Sequence, residues 1–171
     1  MKTLFTVILV ALVVNGCVDV PEGIKPVKRF KINRYLGTWY EIARLDNADE
    51  RGLKSVSTEY RRNQDGDIVF KNRGYLTKWT EWREKEGRIS LAGDPNIGHL
   101  KVSYFGPLYK PYVIFELDPD YEYAYVCGKD RSFLWLLSRT KFLKEDIIDD
   151  FVEKSQKLGF DTSQLIYVDQ F

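Results

Sequence analysis

The sequence predicts an all-β domain, a sandwich or an up-and-down barrel, carrying one helix near its C-terminus. Three features of the 171-residue chain carry that prediction. Short apolar-rich runs alternate with Gly, Pro, Asp and Asn clusters from residue 38 to residue 139, the pattern of antiparallel hairpins. Aromatic residues make up 15% of the chain, the kind of side chain that favours a pleated, half-buried surface. A single stretch near the end switches to helical spacing. The length suits one domain. With 26 basic and 25 acidic residues the chain has no electrostatic footprint for nucleic acid. One histidine, His99, and two cysteines exclude a multi-histidine zinc site and a disulfide framework.

The chain opens with Lys2 and an apolar run from Leu4 to Val14 broken only by Thr6. As a helix this run would reach about 16 Å, roughly half a bilayer core, so residues 1–16 read as an export signal and not as a membrane span. Val14-Asn15-Gly16-Cys17 resembles the lipobox of bacterial lipoproteins. That resemblance implies cleavage before Cys17 and lipidation of its thiol, and two or more acyl chains hold firmly where one does not. Removing residues 1–16 takes away one charged residue, Lys2, and leaves a neutral chain. Residues 17–30 hold Pro21, Gly23 and Pro26 with no hydrophobic period, and are expected to form the tether; residues 31–171 form the domain. The residue after the cysteine is Val18 and not aspartate, which by analogy with enterobacterial lipoproteins implies sorting to the outer membrane.

Eight strands are expected at Thr38–Leu45, Ser55–Asn63, Asp67–Thr77, Gly87–Ala92, His99–Phe105, Pro111–Leu117, Glu122–Cys127 and Phe133–Arg139. The turns between them include Gln64-Asp65-Gly66, Gly93-Asp94-Pro95-Asn96, Gly106-Pro107 and Asp118-Pro119-Asp120. Periodicity does not choose between sandwich and barrel. From Leu143 to Leu158 the apolar residues Leu143, Ile147, Ile148, Phe151, Val152 and Leu158 recur on one face. Glu145 and Asp146 favour the helix start and Gly159 its end, so a helix packed outside the sheet follows. Leu165–Val168 reads as a short final strand.

Several motifs resemble the lipocalin family, and its bacterial outer-membrane lipoprotein subgroup in particular. They are Gly37-Thr38-Trp39 within Gly37–Ala43, Lys101–Pro107, Asp118-Pro119-Asp120-Tyr121, Val126-Cys127-Gly128 and Leu134–Thr140 ending in Arg139-Thr140. The resemblance covers essentially the whole chain after the leader. It implies an eight-stranded antiparallel up-and-down barrel with one C-terminal helix outside, and a plug in which Arg139 lies across the indole of Trp39, introduced by Gly37. It also implies a small hydrophobic ligand, a fatty acid or lysophospholipid, with no cofactor, held by a protein anchored in the bacterial outer membrane. A homodimer stands as a candidate assembly.

If the first strand leaves the closed end at Gly37, alternate connections reach the open mouth: Asp46–Lys54, Lys78–Glu86, Gly106–Lys110 and Gly128–Arg131. Trp79, Trp82, Leu108 and Tyr109 there either guide an apolar ligand, touch a bilayer or fold over one another. Alternation from Trp39 turns Glu41 and Ala43 inward. Val56, Thr58, Tyr60, Phe70, Asn72, Phe133 and Trp135 complete the expected lining, with Trp79 and Trp82 at its entrance. Two other readings compete with a carrier. Cys127 is the candidate nucleophile for an enzyme, though no Gly-x-Ser-x-Gly or zinc spacing accompanies it, and Leu53 stands where some relatives carry cysteine. A filled barrel would serve only as a structural envelope module.

Overall fold

The computed structural model describes residues 20–171, so the leader and Cys17 lie outside the described residues. A short helix α1 (Ile32–Tyr35) precedes eight antiparallel strands. These are β1 (Gly37–Arg44), β2 (Leu53–Arg62), β3 (Ile68–Leu76), β4 (Glu81–Leu91), β5 (His99–Phe105), β6 (Leu108–Leu117), β7 (Tyr123–Cys127) and β8 (Leu134–Ser138). Helix α2 (Glu145–Lys157) and a two-residue strand β9 (Ile166–Tyr167) follow. Each of β1 to β8 pairs with its sequence neighbour, β9 adds to the outer stretch of β1, and β1 pairs with both β8 and β2, which closes the sheet into a barrel. Closure removes the free edges that a sandwich would leave.

Two apolar layers result from the period-2 alternation of the strands. Trp39, Tyr60, Phe70, Leu100, Ile114 and Leu137 face the barrel interior. Ile42, Val113, Tyr125, Cys127 and Leu136 face outward and are covered by Phe151 of α2 and by Phe160. The Tyr125 hydroxyl donates to Ile147 O at 3.1 Å and to Asp150 Oδ2 at 2.9 Å, which pins the helix to the wall. Glu145 and Asp146 occupy the first turn of α2, and Lys154 and Lys157 the last, in accord with the helix dipole.

The closed end is built around Trp39, which is fully buried. Its indole N–H donates to Tyr35 O at 2.8 Å, and the Tyr35 ring stacks on it at 4.7 Å. Arg139 spans the outside, its guanidinium carbon 4.0 Å from the indole centroid. The same guanidinium donates to Thr38 O, Arg34 O and Tyr121 O at 3.0, 2.8 and 3.2 Å. Gly37 has φ of 98°, and a Cβ there would stand 3.2 Å from Arg139 Nη1. Both facts require glycine beside the arginine.

Two expectations are corrected, and one element is added. The described part of the expected tether, residues 20–30, is seated on the barrel and does not hang free of it. Ile24 and Phe30 are buried, Val27 N donates to Ile114 O at 2.9 Å, and Phe30 N to Asn96 O at 2.9 Å. The apolar positions Ile24, Val27 and Phe30, three apart, are what the wall holds. Strand β4 begins at Glu81 and not at Gly87, because its first half carries charge on both faces and imitates a loop. The helical turn α1, placing Tyr35 under Trp39, lacks the length to show a period.

Candidate ligand-binding site

Inside the barrel lies a cavity of about 640 Å³, open at the end away from Trp39. That volume falls within the range of small-molecule sites, roughly 300–1,000 Å³. Glu41, Val56, Thr58, Tyr60, Phe70, Asn72, Phe133 and Trp135, all among the expected lining, border it. Three expected residues do not. Ala43 packs outward with Ile42 toward the helix layer, because a β-bulge between Glu41 and Ala43 breaks the alternation. Arg44 takes the inward place instead and is buried. Trp82 lies on the outer face of β4 against Tyr75 and Phe171, with the Arg73 guanidinium 3.9 Å from its ring. Trp79 projects from the turn Thr77–Trp79 into solvent, 61% exposed.

The walls carry polar groups in three levels. At the floor the Tyr35 and Tyr112 hydroxyls lie 2.7 Å apart, and Tyr60 donates to Tyr112 at 3.2 Å. Burial pushes all three phenols above their ordinary values, so they stay neutral. Halfway up, Thr58 Oγ1 donates to Asn72 Oδ1 at 2.9 Å and Asn72 Nδ2 donates to Tyr104 at 2.8 Å. Lys85 Nζ stands 4.0 Å from the Tyr104 ring centroid.

Nearer the mouth, Arg44 Nη1 donates to Glu41 Oε1 at 2.5 Å and Arg44 Nη2 to Glu50 O at 2.8 Å. Trp135 Nε1 donates to Glu50 Oε2 at 3.0 Å. Burial and the Glu50 carboxylate push Glu41 well above the usual carboxylate range, against the pull of Arg44. Around the rim of the cavity stand Arg51, Arg83, Lys85, Lys110 and Lys129, with Asp49, Glu50 and Glu84 among them. The arrangement is a tube with an uncharged floor and a mouth bearing both signs.

Arg44, Tyr104 and Tyr112 were not anticipated as site residues. Tyr112 and Ile114 on β6, and Val102 and Tyr104 on β5, follow the period of two and were findable that way. Arg44 was not, because nothing in Glu41-Ile42-Ala43-Arg44 marks the bulge. Cys127, the candidate nucleophile, lies in the layer between barrel and helix and does not line the cavity. Burial pushes its thiol up to about 12, so the reactive thiolate is scarce at neutral pH. Among the described residues no group of three or more His, Cys, Asp or Glu side chains is placed to hold a metal ion.

Residues 30–170 match the family model described as a lipocalin-like domain. The chain belongs to the lipocalin family. Outer membrane lipoprotein Blc of Vibrio cholerae is 50% identical over 171 residues, 99% of each chain. Outer membrane lipoprotein Blc of Escherichia coli K12 is 42% identical over 150 residues, covering 88% of this chain and 85% of that one. These relatives place this lipocalin with the bacterial outer-membrane lipoproteins of the family. Insecticyanin of the tobacco hornworm Manduca sexta superposes with a TM-score of 0.71 at 22% identity, over 88% of this chain and 86% of that one. That likeness establishes the shared barrel fold.

Proposed function

We propose that this lipocalin is a carrier of single-chain lipids, fatty acids or lysophospholipids, held at the bacterial outer membrane by acyl groups on Cys17. The observation that carries the reading is the cavity itself: an apolar tube closed by neutral tyrosines, with charged groups confined toward the mouth. An alkyl tail finds no unpaired charge on the floor, and a polar head meets both signs at the rim. A chain of about 15 methylenes gains on the order of 12 kcal/mol on burial. Association and ordering cost roughly 4–15 kcal/mol, which leaves micromolar or weaker binding. Such affinity suits a protein that gives its cargo up again.

The test is a titration of the purified lipidated protein with fatty acids and lysophospholipids of equal chain length, read by displacement of a fluorescent fatty acid. Saturable binding is expected. In Thr58→Trp, an indole fills the middle of the tube and affinity falls at least about tenfold while circular dichroism keeps the barrel signature. Absence of titration in the parent protein, with no lipid in organic extracts of it, would favour the structural envelope module. The lysophospholipid-to-fatty-acid affinity ratio assigns the head group.

A further inference from the structure

The mouth of the barrel carries apolar side chains that neither the cavity nor the core uses. Phe105 and Leu108, in the β5–β6 hairpin, are 73% and 74% exposed. Trp79, on the neighbouring β3–β4 connection, and Tyr109 are exposed beside them. Neither Trp79, Phe105 nor Leu108 lines the cavity. Cations accompany the rings: Lys78 Nζ lies 5.3 Å from the Trp79 centroid and Lys101 Nζ 4.9 Å from that of Tyr109. Three acids of this rim are matched by bases, Asp46 with Arg51, Asp49 with Lys85 and Glu81 with Arg83. Aromatic rings at polar–apolar boundaries, flanked by lysine, are the chemistry of a lipid headgroup layer.

A second, independent observation concerns where the chain enters. Arg131, in the β7–β8 connection at the mouth, donates to Glu22 O at 2.7 Å and to Leu158 O at 2.7 Å. The described chain therefore begins at the open end, beside the C-terminus of α2. It then runs down the wall through Val27 to the closed end, where Phe30 meets Asn96. Three residue steps separate Val20 from Cys17 and span at most about 11 Å. Acyl groups on Cys17 are thereby confined to the mouth side, next to the hairpin that carries Phe105 and Leu108 and across the opening from Trp79.

We infer that the barrel docks mouth-down on the bilayer, held by its acyl anchor beside the β7–β8 connection and by Phe105, Leu108 and Trp79 along the rim entering the headgroup layer, so that lipid passes between bilayer and cavity without crossing bulk water. This rests on the lipidation of Cys17 proposed above. A seated N-terminal segment is what gives the anchor a direction, since a free tether would let the barrel turn over.

The full chain is purified from bacterial membranes with its own anchor and reconstituted on phosphatidylethanolamine–phosphatidylglycerol vesicles. An environment-sensitive thiol dye is placed by Leu108→Cys at the mouth or by Asp65→Cys at the closed end, Cys127 being buried. In protein that floats with the vesicles, emission from position 108 shifts to the blue and is quenched by lipids spin-labelled near the headgroup, while position 65 behaves as in water. The double variant F105S/L108S takes up a fluorescent fatty acid from vesicles about tenfold more slowly, with uptake from aqueous monomer unchanged. Equal solvent exposure of both labels in floating protein overturns the docking while leaving the anchor intact. Protein that fails to float overturns the anchor, and the orientation with it. If F105S/L108S instead converts a dimer to a monomer in sedimentation, the rim is a self-association face and the bilayer proposal falls.

Discussion

The two ends of the barrel use the same side chains for opposite purposes. At the closed end Trp39 has its N–H satisfied by Tyr35 O, a phenol ring on one side and a guanidinium on the other. At the open end Trp79 has a lysine near its ring and most of its surface in solvent. An indole becomes part of the core when its one donor is answered and both faces are covered. Left without a cover, the same group is available to whatever lies beyond the rim. Composition alone does not distinguish the two; topology does, by deciding which turn each tryptophan sits on.

The contrast is broken most severely by Trp39→Ala. It removes a fully buried indole and is expected to cost about 3–5 kcal/mol in chemical denaturation, enough to unfold a large fraction of the molecules. Arg139→Met keeps an apolar cover but loses the cation over the ring and three carbonyl partners. A loss of about 2–3 kcal/mol is expected in the same measurement.

Glu41→Gln probes the level of the tube nearer the mouth. Its carboxyl lies above the usual range in the folded protein, so the native state holds a proton that the unfolded chain has already lost. This group therefore makes stability fall as pH rises from about 4.3 toward its folded value, an effect absent below the ordinary carboxylate range. Denaturation midpoints measured across that interval should slope downward in the parent and flatten in Glu41→Gln. Trp79→Ala closes the series: its stability change should stay within about 0.5 kcal/mol, because an exposed rim residue supports nothing beneath it. A larger loss would mean that the rim is part of the core, and the comparison would have to be redrawn.

Much of this architecture was legible because barrel strands must alternate and turns must contain residues that bend. The Asp-Gly and Pro-Asp turns mark hairpins without any tertiary information, and Gly37, Trp39 and Arg139 stand out as a spaced motif. Alternation from Trp39 turns Glu41 inward as well, whereas on the other strands the phase is fixed only by the pairing. What escaped depends on contacts distant in sequence. The bulge after Glu41 exchanges Ala43 for Arg44, and its cause is the pairing with β8, nearly a hundred residues away. The charged half of β4 is a strand because β3 supplies its partners from Lys71 to Leu76, not because its own residues favour one. The tether was misread for the converse reason: Ile24, Val27 and Phe30 have no period of strand or helix, and become ordered by fitting along an existing wall.

The wall is also incomplete without Asp169 and Gln170. Strands β1 and β2 are in register only from Gly37 to Tyr40, and beyond that point the C-terminal segment lies over the gap. Gln170 donates from its side-chain amide to Glu41 O at 2.7 Å and to Val56 O at 3.0 Å, one acceptor on each strand, and Ser55 N donates to Asp169 O at 2.7 Å. The seam joins positions 129 and 114 residues apart, so it lies among the most distant closures in the chain. A chain still being synthesised, or still threading through an export channel, lacks this rivet until Asp169 and Gln170 are free. Sealing therefore comes late in the life of the polypeptide, and a bulky substitution at Gln170 would fall directly on the clasp.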